Sequence, residues 1–415
     1  MNKVSFLFIT LVLFAAGCGV FGVGETIREP VDLATCGTET ANQSADAEIE
    51  ALRTAMNAFR SSLSDSLLAQ ASNCLDDERL YLWHNTPADG NRDGITYGDL
   101  SAEQLASFQA LLQAFLSADG YQKVDEITFL AEGYLSEIRS IWDTDSYSID
   151  MFGDPENNGS WGFQLDGHHA ALNFLVHGDS VSIVPAFLGG EPTVGSHNGV
   201  EFDIFSAERD RALTLYNNLN TDENTAAVST GDSATMLVGP ANRNGNPDPY
   251  IGAYDYSGFE TGLKYADMSE TTQANLLLLM QAYVYNLNTP FADVWWADIM
   301  TSIDDTYFVW LDDVETPTAT TQFYYRIYNQ SVWIEYNMES PRGQGLEDWN
   351  HVHTITRIPS NANGGDYGIF ANVINQGGPT TLLEHYMQVD HHALSEIEFD
   401  YGLDTPLDTS HAHDS

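Results

Sequence analysis

Beyond Trp142 the apolar residues of this chain change period, and the change decides its fold class. Ahead of that point they recur every three or four residues. Ile49, Leu52, Met56, Phe59, Leu63 and Leu67 form one such stripe, which predicts a helix from about Asp46. Ser101-Ala102-Glu103-Gln104 is a capping box, serine and glutamine each answering a backbone N–H, ahead of Leu105, Phe108, Leu111, Leu112 and Phe115. A third helix is predicted over residues 123–142. Past it the period is two. Residues 161–175 and 180–187 read as strands joined by the tight turn His177-Gly178-Asp179. Helices return over 206–219, 269–287 and 291–303, and strands over 307–311, 323–328, 332–337 and 351–358. Hairpins with helices grouped between them predict an α+β fold: a mainly antiparallel sheet with helices packed on it, in a single large domain over residues 45–395. No internal repeat is visible in the sequence.

Charge removes one class of partner. Fifteen Lys+Arg against 60 Asp+Glu leave the 415 residues at a formal −45, which repels nucleic acids and anionic headgroups, so no nucleic-acid partner is expected. The start, Met1-Asn2-Lys3 followed by apolar residues 4–16, reads as an export signal, too short for a spanning helix of roughly 20 residues. Ala15-Ala16-Gly17-Cys18 resembles a bacterial lipoprotein box. The expectation is a signal over 1–18, a lipid on Cys18 as the one membrane attachment, and a tether over 19–44, with plain secretion as the alternative. Either way the chain is extracytoplasmic. Cys36 and Cys74 then remain, and in an exported chain they predict a disulfide, two free thiols being the alternative. Residues 396–415 read as an acidic tail.

The chemistry rests on histidines. In Asp166-Gly167-His168-His169, alternation along a strand puts Asp166 and His168 on one face and His169 on the other, unless a bulge at Gly167 turns both rings together. His351 and His353 are two apart on a strand, so they share a face about 6.5 Å apart at the backbone, a spacing that suits one metal ion. His385 joins the candidate ligands from a predicted helix. Neutral imidazoles suit Zn, Fe, Cu and Ni. Glu335 or Asp166 would act as general base on a metal-bound water, or would hold a ligand ring in place. Arg326 and Arg357 would clamp an anionic substrate, or pair with carboxylates. Asp89-Gly90-Asn91-Arg92-Asp93-Gly94 opens like a calcium loop, but its twelfth position is Leu100 where a bidentate glutamate is required, which argues against calcium at Asp89–Asp93. No P-loop, Gly-x-Ser-x-Gly elbow, dinucleotide fingerprint or His-Glu-x-x-His is present.

These residues also carry a family resemblance. Trp161-Gly162-Phe163-Gln164-Leu165-Asp166-Gly167-His168-His169, Asn173-Phe174 and Pro185-Ala186-Phe187-Leu188-Gly189-Gly190-Glu191-Pro192 resemble the core motif of domain-of-unknown-function family 3500. Tyr307-Phe308-Val309-Trp310, Tyr324-Tyr325-Arg326-Ile327, Ile334-Glu335-Tyr336 and His351-Val352-His353 follow in that family's order. The resemblance spans roughly 45–395 and implies that both histidine clusters and Glu335 belong to one constellation. It implies no reaction. The expectation is an exported metal-dependent enzyme, hydrolytic or oxidative, acting on a small molecule. The alternative is a surface lipoprotein that binds metal or ligand without turnover.

Overall fold

The computed structural model describes residues 31–33, 36, 41–75, 77–81, 83, 94–138, 142–229, 259–311, 317–339 and 350–359. Cys18, the Asp89–Asp93 loop, His385 and the acidic tail lie outside them. Helices α1 (Ala47–Ser62), α2 (Asp65–Ala71), α3 (Ala102–Phe115), α4 (Ala118–Asp125) and α5 (Glu132–Ile138) come first, with short strands β1 (Ser72–Asn73) and β2 (Ile95–Thr96) among them. The one stripe expected from Asp46 is thus two helices, because Leu63 leaves the helical conformation and Ser64 caps α2. The capping box at Ser101 is formed as expected, with bonds of 2.8 and 3.3 Å.

Strands β3 (Ser148–Gly153), β4 (Ser160–Gly167), β5 (Ala170–His177), β6 (Ser180–Ser182) and β7 (Ala186–Gly190) follow, then the hairpin β8 (Val194–His197) and β9 (Val200–Asp203). The expected strand 161–175 is two strands with His168 and His169 as the turn. The expected strand 180–187 breaks near Pro185, which has no N–H for a ladder. Helices α6 (Ser206–Asn217), α7 (Thr221–Ala227), α8 (Glu270–Val284) and α9 (Thr289–Thr301) enclose β10 (Val228–Ser229) and β11 (Leu263–Lys264). The chain then runs through β12 (Tyr307–Leu311), β13 (Tyr324–Asn329), β14 (Val332–Glu339) and β15 (His351–Arg357).

One open, mainly antiparallel sheet results, in the order β1-β3-β4-β5-β7-β15-β14-β13-β12-β10. That order is palindromic, and the structure therefore contains an internal repeat where the sequence reading found none. β1 pairs parallel with β3 as β10 does with β12, and β2 pairs antiparallel with β3 as β11 does with β12. Gly94 and Gly262 take positive φ at equivalent places, where a Cβ would lie 2.3 Å from the carbonyl oxygens of Ile149 and Phe308 respectively. The two halves meet at β7 against β15, and again where the α3–α4 corner at Leu116 bridges the α8–α9 corner at Leu287.

Alternation then sorts the sheet's two faces. Phe163, Leu172, Phe174, Leu188, Trp310, Ile334 and Tyr336 point into one large core shared with Phe59, Phe108, Leu112, Leu276 and Leu279 of the helices. The other face carries Asp150, Gln164, Asn173, His353, Glu335, Arg326 and Arg357, all buried. A disulfide joins Cys36 to Cys74, tying the segment ahead of α1 to the end of β1.

Candidate metal centre

At one end of the polar face the β4–β5 turn, the end of β7 and the start of β15 come together. Cross-strand register explains it. His353 lies opposite Gly189, and Gly189 donates its N–H to the His169 carbonyl at 2.7 Å. His169 itself has φ +66°, a left-handed conformation that histidine enters more readily than most residues, and this swings its ring toward β15. The tip is further pinned by the Tyr147 hydroxyl, which donates to the His168 carbonyl. Gly189 also leaves the room that the rings occupy. A Cβ there would sit 2.9 Å from His353 Cδ2 and 3.1 Å from His169 Cδ2.

Three imidazoles converge as a result. His169 Nε2 and His351 Nε2 are 3.3 Å apart, and His351 Nε2 and His353 Nε2 are 3.0 Å apart. The three residues offer ligand atoms all within 4.8 Å of one another, at exposures of 2%, 3% and 7%. Metal–nitrogen bonds of about 2.0–2.1 Å in a tetrahedron place nitrogens about 3.3–3.4 Å apart, so these gaps match a shared ion. An imidazole nitrogen holds either one proton or one in-plane lone pair, and His351 Nε2 faces two partners. The group can hold a metal ion. Glu191, 3% exposed, lies with Oε2 3.8 Å from His351 Nδ1, on the ring nitrogen that coordination through Nε2 leaves over.

His168 belongs to a neighbouring group. Its ring stacks on His169 at 3.7 Å and its Nδ1 meets Glu132 Oε2 at 2.8 Å. Glu132, His168 and His169 also offer ligand atoms within 4.8 Å of one another. Sequence reasoning alone does not single out Glu132 or Glu191. A π-helical stretch, Glu126–Ala131, precedes Glu132 and turns it away from the face that a regular helix would give it. Glu191 stood in plain view after Gly189-Gly190, but among 60 acidic residues nothing singled it out.

The other candidates sit elsewhere on the same face. Among the described residues, neither metal-competent group includes Asp166 or Glu335. Asp166 is on β4 opposite Ser148 and Ala171. Glu335 is fully buried on β14, two residues along from the level of His353. Its Oε1 accepts from the Tyr324 hydroxyl at 2.6 Å and its Oε2 from Trp333 Nε1 at 2.7 Å, with Arg357 Nη1 3.8 Å away. Burial pushes the Glu335 carboxyl up from its ordinary value, partly offset by Arg357, Tyr324, Trp333 and Arg326. Arg326, its cross-strand neighbour, donates to Thr261 at 3.0 Å and lies over the rings of Phe259 and Trp333. The two arginines therefore flank a buried carboxylate.

Comparison with curated proteins and with solved structures finds no match. Comparison with protein families matches residues 45–369 to one described as a protein of unknown function, DUF3500. With the bulk of its length matched, this chain is a member of the DUF3500 family.

Proposed function

We propose that this is an exported metal-dependent enzyme acting on a small molecule at the three-histidine centre. One observation carries the reading: three buried Nε2 atoms held 3.0–3.3 Å apart along their chain, close to the nitrogen spacing of metal ligands. Three protein ligands leave a fourth tetrahedral position for water or substrate, the arrangement of catalytic rather than structural sites. A metal bound there supplies Lewis acidity and lowers the pKa of a coordinated water. Its identity chooses the reaction: zinc for hydrolysis, iron or copper for oxidation. Glu191 would hold His351 in place and the Tyr147 hydroxyl would fix the turn that presents His169. Export is supported by the apolar start of the chain, by Cys18 as the candidate lipid anchor, and by the disulfide between Cys36 and Cys74.

Metal content, measured by mass spectrometry on the untagged chain and on His351→Ala/His353→Ala, tests the reading. The wild type should keep at least one transition-metal ion through dialysis, and the folded double variant should lose the ion these residues hold. A wild type that stays metal-free after reconstitution sinks it. The low exposure of all three rings favours a second reading, a closed centre that binds metal without turnover. Azide added to the cobalt-substituted protein separates the two. A shifted visible spectrum shows an open coordination position, and an unchanged one supports the closed centre.

A further inference from the structure

The geometry points to a second divalent cation, held by Glu132, His168 and His169, beside the one at His169, His351 and His353. We infer a two-metal centre in which His169 gives one ring nitrogen to each ion. This rests on the three-histidine reading above and extends it.

Three observations converge. First, Glu132, His168 and His169 are 1%, 8% and 2% exposed and bring one ligand atom each within 4.8 Å of the others. Second, the Glu132 carboxylate is short of partners. Among the described residues His168 Nδ1, at 2.8 Å, is its one hydrogen-bond donor, and no lysine or arginine is paired with it. A carboxylate out of water needs several donors or a cation, because each unmet oxygen and the charge itself are costly to bury. One carboxylate and two imidazoles make a donor set of the kind that zinc and its neighbours accept. Third, the chain is built to hold this arrangement. The π-helical stretch Glu126–Ala131 delivers Glu132, Trp142 lies parallel to the His168 ring with centroids 6.1 Å apart, and Tyr147 clamps the turn.

The shared residue sets the chemistry. His169 belongs to both groups, and a ring that serves two ions does so through its two nitrogens. Coordination at both nitrogens makes the ring an imidazolate, and the proton it gives up leaves to solvent. Two ions joined through one ring suit reactions in which one metal holds a substrate oxygen and the other activates water or an oxidant.

The test counts ions. The untagged chain is stripped with a chelator, reloaded with zinc, dialysed and measured by mass spectrometry, beside Glu132→Gln, His168→Gln and His351→Ala/His353→Ala. The expected result is two zinc ions per wild-type chain and one per chain in each folded variant. Wild type with one ion, equally retained by Glu132→Gln and His168→Gln but lost in His351→Ala/His353→Ala, overturns the second position and leaves the three-histidine centre standing. No zinc in any form overturns both. Should one of the two glutamine variants fail to fold, the other and the wild-type count still decide.

Discussion

The two halves of the sheet put different residues at equivalent places. Register aligns Gly167-His168-His169-Ala170, between β4 and β5, with Asn329-Gln330-Ser331-Val332, between β13 and β14. The second turn is closed by its own backbone and side chains. Asn329 Oδ1 accepts from the N–H groups of Ser331 and Val332 at 2.8 and 2.9 Å, and Trp295 donates to the Ser331 carbonyl at 3.0 Å. A repeat that closes with Gln330-Ser331 needs no imidazole at its tip, so the fold does not explain His168 and His169. The same alignment places Gln164 and Asn173 where Arg326 and Glu335 stand. One pair is neutral, bonded amide to amide at 2.6 Å, and the other carries two charges. Donors meet acceptors in both halves, Gln164 to Asn173 in one and Tyr324 and Trp333 to Glu335 in the other, which marks both as internal supports. At the histidine end three Nε2 atoms face one another instead.

Substitution at the first turn should give the largest effect. His169→Gly removes one ring from both metal-competent groups and replaces a left-handed residue that costs roughly 1 kcal/mol with the one that tolerates φ +66° best. Metal retention should fall to near zero while the unfolding free energy of the metal-free protein, from urea denaturation, changes by no more than about 1 kcal/mol. Large destabilisation of the metal-free form would instead make the turn histidine a structural residue, and the comparison with Gln330-Ser331 would break.

The two buried pairs come next. Glu335→Ala strips the acceptors from Tyr324 and Trp333 and removes the buried carboxylate beside Arg357, which should cost about 3–5 kcal/mol. Asn173→Ala removes a neutral partner of Gln164 and should cost about 1–3 kcal/mol. Chemical denaturation of both variants gives the ratio, and equal costs would show that charge does not distinguish the halves. Neither change should alter metal content by itself. A smaller effect is expected from Gly189→Ala, whose Cβ would lie 2.8 Å from the Val352 carbonyl oxygen and 2.9 Å from His353 Cδ2. Displaced rings should weaken metal binding on the order of 10–100-fold, as loss of an outer support does. Competition against a chelator measures it, and unchanged affinity would show that the rings have slack.

How much of this was legible beforehand follows from period and chemistry. The fold class was readable because the spacing of apolar residues changes from 3.6 to two, and His351 with His353 because two-residue spacing on a strand means one face. The sequence places His169 on a strand, since nothing local separates a strand with a Gly kink from a two-residue turn there. Glu132 was hidden by the π-helical stretch, which breaks the rule that assigns faces. The repeat leaves only a short trace in the sequence, the pattern shared by Gly94-Ile95-Thr96-Tyr97-Gly98-Asp99-Leu100-Ser101 and Gly262-Leu263-Lys264-Tyr265-Ala266-Asp267-Met268-Ser269. It marks a strand, a tight turn and a capped helix start in each half, and the cross-strand pairs that might have reinforced it carry different chemistry.

The smallest effect expected is the pH dependence of the charged pair, and it tests which force dominates there. Burial raises the Glu335 carboxyl above its ordinary 4.5, against the pull of Arg357, Arg326 and the hydrogen bonds from Tyr324 and Trp333. A raised value means that the folded chain holds this proton more tightly than the unfolded chain does. Stability from this residue is therefore fully present below about pH 4.5 and is lost as pH rises through the raised value. Glu335→Gln cannot titrate, and it cancels the contribution of the other acidic residues when the two proteins are compared. The stability of wild type minus that of Glu335→Gln should be greatest at low pH and decline as pH rises through that window. Denaturant midpoints between pH 4 and 8 measure the difference. A difference that grows with pH would mean that Arg357 outweighs burial and holds the carboxylate ionised, and the charged half would then owe its stability to its ion pair.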